Sequence, residues 1–263
     1  MKIRIKFTKS GPLKFIGHLD VMRYFQKAFR RAEVDVEYSQ GFSPHQLMSF
    51  AAPLGVGLTS DGEYLDVSMH SSDAPEIMIQ RINEAMNEYI RVVDFKELSD
   101  NSKNAMSIVA GADYLVSVKD GYDSMDESAF REKFTGFFNQ DSSVITKKSK
   151  KSENEVDIKP MIYHIAFDND TFRQNTGQLP ALKDYNTVAD TYANGVKVYM
   201  QLATGSVNNL KPELVMEAFC KHTGEQFQEF AYQIHRLEVY ADLGSSEKKF
   251  GEFRKLVPLQ NII

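Results

Sequence analysis

The sequence predicts an α+β protein built from two tandem ferredoxin-like, split βαβ domains, the second carrying an insertion. Three observations carry this prediction. Short stretches of strict apolar–polar alternation are interleaved with stripes of apolar residues three or four apart, in the order strand, helix, strands, helix, strand. The same order begins again after a polar connection near residue 105. The chain has 263 residues, 42% of them hydrophobic, with 18 Phe and 12 Tyr, enough apolar mass for one large core or two ordinary ones.

In the first half, residues 2–7 alternate as a half-buried strand. Ser10-Gly11-Pro12 breaks the pattern, and Met22, Phe25, Phe29 and Ala32 then share one helical face. Residues 34–38 alternate again and read as a strand, followed by a loop from Ser39 to His45. Residues 47–58 read as a strand interrupted by Pro53, Gly55 and Gly57. Ser60-Asp61-Gly62 is a hairpin signal, with Tyr64 to Met69 as the returning strand. Asp73 and Glu76, with Pro75 between them, mark a helix start, and residues 91–95 close the unit. In the second half, strands are expected at 114–118, 143–146, 155–167, 196–202 and 232–240. Helices are expected over 126–138 and after Lys211-Pro212. The expected domains are therefore 1–100 and 105–243. Residues 168–195 are a polar insertion without a clear period, and 244–263 form a tail that is either a docking segment or a frayed end.

Composition narrows the function. The single cysteine, Cys220, excludes a disulfide framework, a Cys-based zinc site and an iron–sulfur cluster within this chain, and no cofactor or metal is expected. On its apolar helical stripe, Cys220 reads as a small core residue. The N-terminal alternation is unlike a signal peptide, and no run approaches the roughly 20 apolar residues of a membrane span. A cytoplasmic protein without a membrane partner is expected. The net charge of −5 hides an uneven distribution: residues 1–50 hold nine Lys/Arg against four Asp/Glu, and residues 51–146 hold seven against seventeen. Lys147, Lys148, Lys150 and Lys151 follow as a second basic run. Such asymmetry suits an anionic partner, and equally suits an uneven solvated surface.

Two stretches concentrate chemistry. Phe15-Ile16-Gly17-His18-Leu19-Asp20 leads into the first helix with Arg23 one turn on, and Tyr38-Ser39-Gln40-Gly41-Phe42-Ser43-Pro44-His45 forms a polar loop. Gly17 at a helix start leaves backbone amides open to an anion. His18 and His45 are of the type needed for acid and base, and Tyr38 and Phe42 for stacking on a nucleobase. The plainer alternative is a turn set by Gly41 and Pro44, a helix-capping His18 and a core Phe42.

These stretches, with Ala51-Ala52-Pro53-Leu54-Gly55, Asp61-Gly62-Glu63-Tyr64-Leu65-Asp66, Glu155-Val156-Asp157-Ile158-Lys159-Pro160 and Thr204-Gly205-Ser206 continuing to Asn209-Leu210-Lys211-Pro212-Glu213, resemble the radical-SAM-linked bacterial domain family of unknown function. The resemblance covers nearly the whole chain apart from 168–195 and the tail. It departs at Ser43, where Asn is usual, and at Gln46-Leu47, in place of a Pro-Lys/Arg pair. The resemblance implies an accessory protein of a radical-SAM system that binds or acts on RNA or the translation machinery. Its implied partners are a radical-SAM protein and RNA or a ribosome-related factor.

For RNA, the candidate contacts are Lys14, Gly17, Arg23, Gln40, Gly41, Phe42 and the lysines at 147, 148, 150 and 151. Two alternatives stand beside this reading. One is a metal-independent endoribonuclease using His18, His45 and Tyr38, with Lys14 on phosphate and a 2′,3′-cyclic phosphate product. The other is a pure protein–protein adaptor.

Overall fold

The computed structural model describes residues 1–122, 124–148, 153–176, 189–244 and 256–262. In the first half these form β1 (Lys2–Lys9), α1 (His18–Arg31), β2 (Met48–Phe50), β3 (Thr59–Ser68), α2 (Pro75–Glu84) and β4 (Ile90–Leu98). The second half comprises α3 (Ala105–Ile108), β5 (Val109–Val118), α4 (Glu127–Phe138), β6 (Val144–Lys148), β7 (Glu153–Asp157), β8 (Ile162–Ala166), α5 (Asn169–Thr176), β9 (Lys197–Ala203), α6 (Pro212–Thr223) and β10 (Tyr232–Asp242), and β11 (Leu256–Pro258) follows.

The protein is α+β, with one large mixed sheet and six α-helices among the described residues. The sheet runs β4-β1-β3-β10-β5-β9-β8, with β2 on β3 and β11 on β10, while β6 and β7 pair as a separate hairpin. Each half has its own core. Ile3, Ile5 and Phe7 of β1 meet Phe25 and Phe29 of α1 and Met78 and Ile82 of α2. Phe130, Phe134 and Phe137 of α4 meet Val215 and Phe219 of α6 over Val116 and Met200. The ring centroids of Phe134 and Phe219 are 4.9 Å apart. Burying each such ring contributes on the order of 1.5–3 kcal/mol.

The halves join where β3 meets β10 in parallel, His235 beside Thr59 and Arg236 beside Ser60. This seam explains why the expected hairpin at Ser60-Asp61-Gly62 does not form: β3 passes straight through these residues. A Cβ on Gly62 would lie 2.7 Å from the Leu237 carbonyl oxygen and 2.8 Å from Glu238 Cα. The glycine therefore serves close strand approach rather than a turn.

Three further elements differ from the sequence expectation. Residues 34–38 make only isolated bridges, Val36 to Met69 and Tyr38 to Gln46. Val36 meets Met69 just past the end of β3, and β2 already occupies that edge of β3 from Val67 onward, so no ladder can extend. The strand expected over 155–167 is split by a 3₁₀ turn at Lys159–Met161 into β7 and β8, which belong to different sheets. Pro160 sits in that turn and has no amide to give a ladder. Within 168–195, residues 169–176 are helical, and Phe172 packs on Tyr199 with centroids 5.5 Å apart. Eight residues are too few to show a period, and residues 177–188 lie outside the described set. Of the tail, residues 256–262 dock: β11 pairs with Tyr240–Asp242 and Leu259 is fully buried.

Candidate functional site

The α1 helix starts at Gly17, carries Asp20 in its first turn and ends in Arg30 and Arg31, charges placed to suit the helix dipole. Val21, Phe25, Ala28 and Phe29 are buried, which turns Arg23, Lys27, Arg30 and Arg31 toward solvent. Arg23 makes an exposed ion pair with Asp20 at 3.3 Å. Gly17 has an ordinary φ of −78°, and a Cβ there would meet nothing, so the helix entrance is open space.

The loop after Tyr38 is closed by its own hydrogen bonds. The Ser39 amide donates to the His45 carbonyl at 2.8 Å, and Ser39 Oγ accepts from the His45 amide at 3.1 Å while lying 2.8 Å from His45 Nδ1. Gly41, with φ of 112°, supplies a turn that other residues rarely adopt. Phe42 is fully exposed at 112%, and Gln40 is exposed beside it. Gln46, buried at the loop's end, donates from Nε2 to Tyr38 Oη at 3.2 Å and to the Gln26 carbonyl at 3.5 Å. That carbonyl also accepts from Arg30 Nε at 3.4 Å. The loop thus leans on the middle of α1, the helix whose Arg23, Lys27 and Arg30 are exposed, while Tyr38 and Phe42 are exposed on the loop.

The two histidines are held by different partners. The His18 ring stands edge-on to Phe50 with centroids 5.0 Å apart, and burial pushes its pKa below the usual imidazole range. His45 is held by Ser39, in the loop that reaches α1 at Gln26. Eight residues of helix separate His18 from Gln26, roughly 12 Å. No hydrogen bond joins His18, Tyr38 and His45 into a relay. Lys14 is also engaged: its Nζ donates to Asp190 Oδ2 at 2.9 Å and to Gln233 Oε1 at 3.0 Å, tying the first half to the second. Lys147 and Lys148 lie on β6, opposite Asn154 and Glu153 of β7. Lys150 and Lys151 lie outside the described residues. Among the described residues no group of three or more His, Cys, Asp or Glu side chains is placed to hold a metal ion. Cys220 is buried in the second core, its Sγ 3.3 Å from Tyr232 Oη.

The other cations of the basic N-terminal stretch have a different fate. Arg4, Lys6 and Thr8 alternate with the core residues of β1 and so face the opposite side of the sheet. There Arg4 grips Asp66 through Nε and Nη2, at 2.8 and 3.0 Å. Lys6 Nζ meets Glu238 Oε2 at 2.6 Å, and Tyr64 Oη donates to the other oxygen of Glu238 at 2.6 Å. The row continues across β10, β5 and β9, where Tyr240 donates to Asp113 at 2.5 Å and Gln201 donates to it at 2.9 Å. Burial raises the Asp113 pKa to about 7, although both hydrogen bonds oppose the shift. The docked tail covers one end of the row: Arg4 Nη1 donates to the Leu259 and Ile262 carbonyls, and Lys6 reaches Gln260 Oε1. On the helix side of the seam, Arg236 Nη1 pairs with Glu63 at 2.9 Å. Lys9 is buried on the Ile16 carbonyl at 3.1 Å.

Residues 2–212 match the family model described as "Uncharacterized protein conserved in bacteria (DUF2344)". The chain belongs to this family. No curated protein matches it. The match to DUF2344 spans both motif-bearing halves and stops at the start of α6, so β10, the strand shared by the two halves, lies beyond it. The buried residues that sequence reasoning missed in this DUF2344 chain, Arg236 and Glu238, stand on that strand. Charged residues inside an otherwise apolar, alternating run were the signal available. No helix among the described residues is long and apolar enough to cross a membrane.

Proposed function

We propose that the protein is an RNA-binding accessory factor that uses the outer face of α1 and the Tyr38–His45 loop, and that it serves a radical-SAM partner enzyme. The observation that carries this reading is the fully exposed ring of Phe42 on a loop braced against a helix that presents Arg23, Lys27 and Arg30. Cations track phosphate, and an unpartnered aromatic ring stacks on an unpaired base. The opposite face of the sheet is a poor candidate, since its charges are buried against one another and partly covered by residues 259–262. In the same reading, residues 1–100 and 105–243 are two ferredoxin-like units sharing one sheet. Supporting this, the first half has the order β4-β1-β3-β2 and the second β10-β5-β9-β8, each placing its four strands in the 4-1-3-2 arrangement. The radical-SAM partnership rests on the sequence resemblance alone.

The test is fluorescence anisotropy with structured and single-stranded cellular RNA across a salt series. Binding should weaken as salt rises. Phe42→Ala should cost about 1–3 kcal/mol of affinity for single-stranded RNA. Charge reversal at Arg23, Lys27 and Arg30 should lower the salt dependence along with the affinity. Absence of binding at low salt, with and without the co-purified radical-SAM protein, would leave the adaptor reading in its place.

A further inference from the structure

Three of the exposed large apolar side chains of the first half lie at the entrance of α1. Phe15, Leu19 and Val56 are 67%, 59% and 61% exposed. The Gly57 amide donates to the Lys14 carbonyl at 2.7 Å, so Phe15 and Val56 each stand one residue from the same hydrogen bond. Leu19 follows Phe15 by four residues, at most about 14 Å of extended chain. Apolar residues scattered singly over a surface are ordinary, whereas three close together point to a contact.

The Phe15 ring is held in place. Lys14 Nζ lies 5.6 Å from its centroid and is itself anchored to Asp190 Oδ2 and Gln233 Oε1. Lys9 Nζ donates to the Ile16 carbonyl at 3.1 Å, which fixes the chain just past the ring. A ring held in this way gives up little freedom when a base stacks on it. Beyond Leu19, Arg23, Lys27 and Arg30 follow at steps of four, four and three, and all are exposed, so they form one stripe along α1. Eleven residues of helix make the stripe roughly 16 Å long. The Asp20–Arg23 pair is exposed on both sides and gives way to a phosphate at little cost.

We propose that Phe15 is a second base-stacking platform, and that the ligand of this face is a single strand of RNA lying along α1. One base stacks on Phe15 beside Val56 and Leu19, and the phosphates that follow lie on Arg23, Lys27 and Arg30. The inference rests on the RNA-binding reading above and narrows it from RNA in general to unpaired RNA. A duplex brings phosphates to the cationic stripe, but its base faces are stacked inside and leave the three apolar side chains uncovered. A single strand uses both, because each unpaired base has a face to stack and each linkage a charge to neutralise. Such a platform accepts any base, so the site discriminates by strandedness rather than by sequence.

Fluorescence anisotropy of the full chain at low salt tests it, with an oligouridine of about 12 nucleotides and an RNA duplex of the same length as probes. The single strand should bind more tightly than the duplex. Phe15→Leu keeps an apolar side chain but removes the ring. It should retain the thermal midpoint, weaken the single strand at least about five-fold and leave the duplex unchanged. Phe15→Tyr keeps a stacking ring and should bind the single strand as the parent does. The proposal is overturned, with the RNA-binding reading left standing, if Phe15→Leu binds the single strand as tightly as the parent while Phe42→Ala or charge reversal at Arg23, Lys27 and Arg30 weakens it. That is also the result expected if the apolar group is a protein contact. Preference for the duplex overturns it as well. If neither probe binds, the RNA-binding reading falls and takes this inference with it.

Discussion

Two sets of basic residues lie within the first 31 positions and end in opposite environments. Arg4, Lys6 and Lys9 on β1 are at most 2% exposed, each held by carboxylates or carbonyls. Arg23, Lys27, Arg30 and Arg31 on α1 all face solvent. In the sequence the two sets are indistinguishable parts of a net charge of +5 over residues 1–50. The contrast separates charge that specifies the fold from charge available to a partner. The first kind joins strands that are far apart in sequence, since Lys6 and Glu238 are 232 residues apart. The second has partners no farther than the next helical turn, as in Arg23 with Asp20.

Breaking the buried set should have the largest effect. Glu238→Ala leaves Lys6 without its carboxylate in the interior and should destabilise the protein by about 3–5 kcal/mol, read by urea unfolding. Lys6→Met combined with Glu238→Leu should recover most of that loss, because two matched apolar groups avoid the desolvation that one stranded charge incurs. If the double variant is as unstable as Glu238→Ala, the ion pair is not the source of the cost.

The row of buried groups also predicts a pH dependence. Asp113 has a folded-state pKa of about 7 against an ordinary 3.8. The folded protein therefore holds a proton that the unfolded chain releases, and stability falls as pH rises from about 4 to about 7. The slope from this one group is at most about 1.4 kcal/mol per pH unit. Asp113→Asn should flatten the stability profile in this window, measured by thermal or urea unfolding at successive pH values. An unchanged profile would show that Asp113 is ionised throughout.

The smallest stability effect belongs to the exposed set. Reversing Arg23, Lys27 and Arg30 to Glu should move unfolding by no more than about 0.5 kcal/mol per site. A larger loss would place these cations in the structural class and sharpen the division in a different place.

The legibility of the molecule follows the same division. Local patterns were readable: the Phe25–Phe29 face of α1, the Asp126 cap of α4 and the Pro212 start of α6 all appear where spacing and residue type put them. What misled were residues whose role depends on a distant strand. Gly62 reads as a turn glycine until Leu237 lies against it, and the 34–38 alternation reads as a strand until β2 takes the edge of β3 it would pair with. For the candidate site, the loop and helix were legible as exposed and polar. The separate anchoring of His18 on Phe50 and of His45 on Ser39 was not, because it depends on how the loop folds back on α1.

The tail that covers β1 has a consequence for biosynthesis. Arg4 donates to carbonyls 255 and 258 residues downstream. At about 5–20 residues per second, a ribosome needs on the order of 12–50 s to travel that distance. Throughout that interval the first half has its apolar core available for collapse, while Lys6 lacks Glu238 and Arg4 lacks its two carbonyls. A strand translated early is completed late, and the nascent chain must keep β1 unpaired on one face without aggregating. Slow, non-local closure of this kind makes the folding yield sensitive to translation rate and to chaperone supply, more than the final stability alone would suggest.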